Sequence, residues 1–169
     1  MRISQVSDHV GALVEDVDIT QLTDSETSVL VDAWGEHGAL FFRGQTVDEQ
    51  QHIEFAERFS SIDINKFFTP VEGHPQIAQV LKEPDHTVNV GGGWHTDHSY
   101  DQVPAKGSIL VARDLPPTGG DTRFLSVGAA YDALSDGLKT TLAGLHAHHS
   151  SEHVFGAKAG YDEDDDRFG

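Results

Sequence analysis

Cysteine is absent from the sequence. That excludes disulfides, thiolate zinc sites and cysteine nucleophiles. Positive charge is scarce as well. The 11 Lys and Arg stand against 28 Asp and Glu, for a formal net charge of −17. Proteins that grip nucleic-acid phosphates do so with clustered Lys and Arg, and no such cluster occurs here. Docking on an anionic membrane is disfavoured for the same reason. A bilayer span needs about 18 or more consecutive apolar residues, and the sequence has no such run. Met1 to Val10 is polar and mixed in charge, without the apolar core of a secretory signal. What remains is a chain of 169 residues, 37% apolar, long enough for one domain with a sizeable core. Its 11 His residues direct attention to metal ligands. A cytoplasmic enzyme fits these features.

The pattern along the chain is mixed α and β, without an internal repeat or a linker. Gly11 to Thr20 alternates apolar and acidic residues, as a half-buried strand does. Thr23 and Glu26 have capping-box spacing, and Val29, Leu30, Ala33 and Trp34 form an apolar stripe closed by Gly35 and Gly38. Ala39 to Phe42 is a short run of buried-strand type. Thr46 and Glu49 repeat the capping-box spacing ahead of Ile53, Ala56 and Phe59. Further strands are predicted over 77–81, 108–113, 122–125 and 145–150. Helices are predicted over 126–134 and 136–144, the latter capped by Ser135. The run Tyr161 to Gly169 contains five consecutive acids and predicts a solvated, mobile acidic tail over 161–169.

The segment that carries chemistry is Gly91-Gly-Gly-Trp-His-Thr-Asp-His-Ser-Tyr100. On an extended backbone, residues two apart face the same way. His95 and Asp97 can then offer one imidazole nitrogen and one carboxylate oxygen to a single metal ion. A second His from elsewhere would complete the two-His-one-carboxylate triad of non-haem Fe(II) oxygenases, which leaves one face of the metal open. The same spacing also suits a His and an Asp hydrogen-bonded within a loop.

The neighbouring motifs resemble those of the taurine dioxygenase (TauD/TfdA) family of Fe(II)- and 2-oxoglutarate-dependent dioxygenases. The resemblance rests on Gly11 to Thr20, Leu40-Phe-Phe-Arg-Gly-Gln45, Trp94-His-Thr-Asp97 and Pro117-Thr-Gly-Gly-Asp-Thr122, in the family's order. Ala129 to Ser135 and Leu142 to Leu145 extend it, and it runs from about Ile3 to His153. It implies an α+β, mainly β fold: a double-stranded β-helix, or jelly roll, with flanking helices, as a single domain over 1–169. It implies that His95 and Asp97 are two of the iron ligands and that Thr122 hydrogen-bonds the 2-oxoglutarate carboxylate. A carboxylate at position 97 favours hydroxylation, because related halogenases carry a small residue there. The implied cofactor is Fe(II), with 2-oxoglutarate and O2 as co-substrates and succinate and CO2 as products. The implied partner is a small anionic organic substrate of sulfonate, sulfate ester or aryloxy acid type. Hydroxylation at the carbon bearing such a group releases it. Family members are often oligomeric, so a homo-oligomer is allowed.

The chain also departs from the family pattern. The distal iron-binding His and the Arg that pairs with the far carboxylate of 2-oxoglutarate belong to late strands of the jelly roll. His146, His148, His149 and His153, with Arg123 and Arg167, are poor matches for them. The expectation is a domain truncated before its last strands, with low stability or activity in isolation. In taurine-specific members an Asn precedes the first iron ligand by four residues. Gly91 stands there in this sequence. The sulfonate-contacting His and Tyr also lack matches around Asn65 to Pro70. Taurine is therefore disfavoured, and Gly91, Phe68 and Tyr100 are the candidate substrate-pocket residues. Trp94 is expected to pack beside the site. His37, His52, His74 and His86 carry no motif. The alternative to the dioxygenase is a catalytically inactive metal-binding jelly-roll fragment that lacks the third ligand. Zinc-dependent hydrolysis shares the ligand types but finds no support in the Gly-Gly-Asp-Thr motif.

Overall fold

The computed structural model describes residues 1–87 and 91–152. The chain forms two compact units, one of Met1–Phe59 with Val111–His146 and one of Ser60–Leu110 with Ala147–Gly169. The expected acidic tail over 161–169, His153 and Arg167 lie outside the described residues.

The first unit is built on a three-stranded sheet of β1 (Arg2–Gln5), β2 (Ala12–Glu15) and β3 (Leu40–Phe42), with β2 in the centre. β1 runs antiparallel to β2, with Ile3 opposite Val14, and β3 runs parallel to it, with Val14 opposite Phe42. The alternation seen in the sequence is realised on β2: Ala12 and Val14 are buried, and their neighbours are partly exposed. Parallel pairing of β2 and β3 requires a crossover. Helix α1 (Asp24–His37) supplies it.

α1 starts where the spacing predicts. The Thr23 hydroxyl accepts from Glu26 N–H, and the Glu26 carboxylate accepts from Thr23 N–H. It ends at Gly38, whose φ of +71° is a left-handed cap that glycine adopts without steric cost. Gly35 lies inside the helix and does not close it. Thr27, Leu30 and Ala33 form its buried face, at the three-residue spacing of one helical side.

Helix α2 (Glu49–Glu57) is capped by Asp48 and Gln51, two residues after the expected pair Thr46 and Glu49. Both pairs have the same spacing. The later one is used because Val47 is drawn into the core and its carbonyl accepts from the Arg113 guanidinium, which leaves it outside the helix. Val14, Ile19, Leu22, Leu30, Val47 and Phe55 make up the core. Phe55 packs edge-on against Phe42 and Phe59, with ring centroids 5.8 and 5.1 Å apart. Helices α3 (Val127–Asp132, capped by Ser126) and α4 (Asp136–Leu142, capped by Ser135) lie within the predicted spans.

The second unit contains an antiparallel hairpin of β4 (Pro70–Val71) and β5 (His74–Ala78), three residues ahead of the strand predicted from 77. The rest of its described residues are loops and turns, including those that carry the candidate site.

Three predicted strands, at 108–113, 122–125 and 145–150, are unpaired among the described residues. A ladder needs a partner backbone and a buried face to hold it. Val111 packs against the core, but Leu110, Leu125 and Leu145 are 70, 47 and 65% exposed, so burial holds these segments weakly. The described residues thus form a mixed α/β arrangement with two small sheets, where the sequence reading expects a jelly roll with flanking helices, truncated before its last strands.

Candidate metal site

The segment 91–100 follows turns instead of the extended strand that the two-residue spacing invoked. The side chains nevertheless converge. Nε2 of His95 lies 3.2 Å from Oδ1 of Asp97. Each group is fixed from behind. Nδ1 of His95 is 2.8 Å from the Gly93 carbonyl oxygen. A carbonyl only accepts, so Nδ1 carries the proton of the neutral ring and Nε2 carries the lone pair. The other carboxylate oxygen of Asp97, Oδ2, accepts from the Ser108 hydroxyl at 2.8 Å.

In the neutral ring the Gly93 contact turns a lone pair on Nε2 toward a carboxylate oxygen, an arrangement that a metal ion between the two would satisfy, as would a second proton on the ring. Two ligand atoms each about 2.1 Å from an ion and at right angles are about 3.0 Å apart. The observed spacing suits adjacent positions on one transition-metal ion. Both side chains are about half exposed, which leaves room for further ligands. Among the described residues, no third His, Asp or Glu donor joins this pair.

Gly91 sits against the same imidazole. Its φ is +67°, and a Cβ placed there would stand 3.2 Å from Cε1 and 3.9 Å from Nε2 of His95. The absent side chain keeps the ligand edge of the ring open.

A second cluster adjoins the pair. One ligand atom each from Asp63, His98 and Asp101 lie within 4.8 Å of one another, close enough to suggest a metal. The hydrogen bonds assign the cluster another task. Oδ1 of Asn65 accepts from the Phe67 and Phe68 N–H groups at 2.8 and 3.1 Å. Its amide nitrogen therefore points at Nε2 of His98, 3.2 Å away, and donates to it. The His98 proton is then on Nδ1, where it is donated to Asp101 at 2.8 Å. Both ring nitrogens are satisfied. His98 fastens the turn after Asp97 to the segment 63–68. It does so from a left-handed conformation, with φ +53°.

Tyr100 stacks on His98, with centroids 5.7 Å apart. Burial, followed by the charges of Asp101, Asp97 and Asp63, pushes its hydroxyl above the usual phenol range, so it stays protonated at neutral pH. Phe68 is half-buried in the same unit. Trp94 is 66% exposed and does not pack as expected. Thr122 is exposed on an extended segment of the other compact unit.

Sequence reasoning singled out His95 and Asp97, which the structure brings together, but missed Ser108 beside Asp97 and Asn65 and Asp101 as the partners of His98. His98 and Asp101 have the spacing of a side-chain-closed turn, a weak local signal. Ser108 is 11 residues from Asp97 and Asn65 is 33 from His98, separations that no local pattern encodes.

Comparison with known proteins identifies the family. The family described as "Taurine catabolism dioxygenase TauD, TfdA family" matches residues 2–168. The (S)-phenoxypropionate/alpha-ketoglutarate-dioxygenase of Sphingobium herbicidovorans is 34% identical, over 83% of this chain and 50% of its own length. A taurine dioxygenase from Burkholderia xenovorans superposes with a TM-score of 0.72 at 33% identity, covering 85% of this chain and 51% of that one. AAD-2, crystallised with Mn(II) and N-oxalylglycine, superposes with a TM-score of 0.71 at 29% identity, covering 96% and 58%. The chain spans about half the length of the curated relatives it matches. No described helix is long and apolar enough to cross a membrane. By the match along almost its whole length, the chain belongs to the taurine catabolism dioxygenase TauD, TfdA family.

Proposed function

We propose that this chain holds Fe(II) through His95 and Asp97 and serves a 2-oxoglutarate-dependent dioxygenase that hydroxylates a small anionic organic compound. One observation carries the reading: Nε2 of His95 and Oδ1 of Asp97 converge to 3.2 Å, while Nδ1 of the same ring is held at the Gly93 carbonyl. The donor set suits iron, since imidazole and carboxylate with open positions favour a divalent transition metal. When bound, Fe(II) supplies, with 2-oxoglutarate and O2, oxidation of a substrate C–H bond coupled to formation of succinate and CO2.

The chain's own residues prepare that chemistry. The Gly93 carbonyl fixes the His95 tautomer, so the lone pair is presented at Nε2. The motif match assigns Thr122 to the 2-oxoglutarate carboxylate, where its hydroxyl would donate. Gly91, Phe68 and Tyr100 are assigned to the substrate side. Gly91 contributes space where taurine-specific members contribute an Asn amide, which disfavours taurine. Aryloxy acids, sulfate esters and other sulfonates are the remaining candidates. The (S)-phenoxypropionate relative supports the first class. The reading places these elements in a jelly roll and the protein in the cytoplasm. Its partner is a small molecule, not nucleic acid or membrane, and self-association remains open to measurement.

Anaerobic addition of Fe(II) and then 2-oxoglutarate tests the reading. A weak visible charge-transfer band is expected for the native chain and not for His95→Ala. Absence of the band together with absence of Fe(II) uptake overturns the dioxygenase assignment. Metal uptake without the band would favour the inactive metal-binding alternative.

A further inference from the structure

We propose that Ser108 is a positioning residue for the metal site, selecting which oxygen of Asp97 meets the metal. The proposal rests on the reading that His95 and Asp97 hold a divalent metal.

A carboxylate has two equivalent oxygens and turns easily about its terminal torsion. Left alone, Asp97 could present either oxygen, or both. The structure breaks that symmetry. Oδ2 accepts the Ser108 hydroxyl proton at 2.8 Å while Oδ1 faces His95 Nε2 at 3.2 Å. An ionised carboxylate only accepts, so the direction of the Ser108 bond is fixed. With Oδ2 occupied, Oδ1 is left for single-oxygen ligation, and the carboxylate plane is set by a contact 11 residues away in the chain. The imidazole has the matching support in the Gly93 carbonyl. Both ligands are thereby held in advance of the ion. Supporting hydrogen bonds of this kind typically change metal affinity by about 10–100-fold.

The contact is not explained as a fold-stabilising one. Asp97 is about half exposed, and Ser108 is exposed on an unpaired segment. The loss of a solvent-facing hydrogen bond costs little stability because water replaces it. An effect on metal affinity without an effect on unfolding is therefore the signature of positioning.

The test is titration of Mn(II) and Co(II) into the native chain and into Ser108→Ala, Ser108→Thr, Ser108→Cys and His95→Ala, with thermal unfolding of each metal-free variant. Ser108→Ala is expected to weaken metal binding about 10–100-fold without shifting the metal-free unfolding midpoint. Ser108→Thr keeps the hydroxyl and is expected to restore affinity to within a few-fold. Ser108→Cys keeps the volume with a weaker donor and is expected to resemble Ala, which preserves the test should Ala misfold. Native-like affinity in Ser108→Ala and Ser108→Cys, with loss in His95→Ala, overturns the role of Ser108 and leaves the metal site standing. Equal or absent binding in the native chain and His95→Ala overturns the metal site and this proposal with it.

Discussion

The Asn65 amide nitrogen lies 3.2 Å from Nε2 of His98, and the Asn65 oxygen is shared by two backbone N–H groups, of Phe67 and Phe68. One side chain thus closes a loop with its acceptor and anchors the turn after Asp97 with its donor. Asn65→Ala removes all three bonds. It is expected to destabilise the second unit by about 1–3 kcal/mol. Asn65→Asp keeps the acceptor for the loop and loses only the donor to His98, so its loss should be the smaller. Urea unfolding of the three proteins checks the order. Equal losses would show that the His98 bond dominates.

Gly11 is required on two separate grounds. Its φ is +95°, and a Cβ there would meet Phe41 at 2.8 Å and Val6 at 2.9 Å. Both distances are shorter than van der Waals contact, so the Phe41 ring on β3 and the Val6 side chain must shift to admit it. Gly11→Ala is expected to cost about 2–3 kcal/mol, combining left-handed strain with the clash. A drop of that size in denaturant midpoint at constant slope would confirm it. A change below half a kilocalorie would mean that the loop relaxes freely.

The start of α1 carries a pH dependence. The Thr23 backbone N–H, then the Thr23 hydroxyl, hold the Glu26 carboxyl below its usual range. A depressed carboxyl stabilises the fold at pH above its unfolded value and loses that contribution as pH falls through the folded one. Helix content should therefore begin to fall below the ordinary glutamate range, near pH 4. In Glu26→Gln that part of the acid transition should be missing. Glu26 is partly exposed, so the effect is expected to shrink in high salt. Circular dichroism against pH at two salt concentrations reads it.

These three contacts also divide what the sequence made legible from what it did not. α1 could be read because its signals are local: Thr23 and Glu26 at one end, Gly38 at the other, Leu30 and Ala33 between. His95 and Asp97 could be read because two residues of spacing and the adjacent motif are local too. Residues 108–113 have a strand's composition, but composition supplies no partner. Val111 packs against the core, but Leu110 beside it is 70% exposed, and no strand pairs with the segment among the described residues. Asn65 and Ser108 carry no local signal, since a single Asn or Ser in a loop is common. Their roles follow from bonds across 33 and 11 residues. The jelly-roll expectation came from family resemblance.

The glycine run ahead of His95 offers an internal control for the openness of the site. Gly91 and Gly93 flank the same imidazole by different means: Gly91 through empty space, Gly93 through its carbonyl oxygen. An added Cβ at Gly93 meets nothing within 4 Å and leaves the carbonyl in place. One at Gly91 stands 3.2 Å from the His95 ring, beside the lone pair, on a backbone at φ +67°. Gly91→Ala is therefore expected to weaken Mn(II) binding severalfold and to cost about 1 kcal/mol in strain, while Gly93→Ala leaves affinity near native. Calorimetric titration of both variants separates the two effects. Equal affinities would mean that the ring turns away from position 91 when metal binds, and that the space at Gly91 serves the substrate instead of the ligand edge.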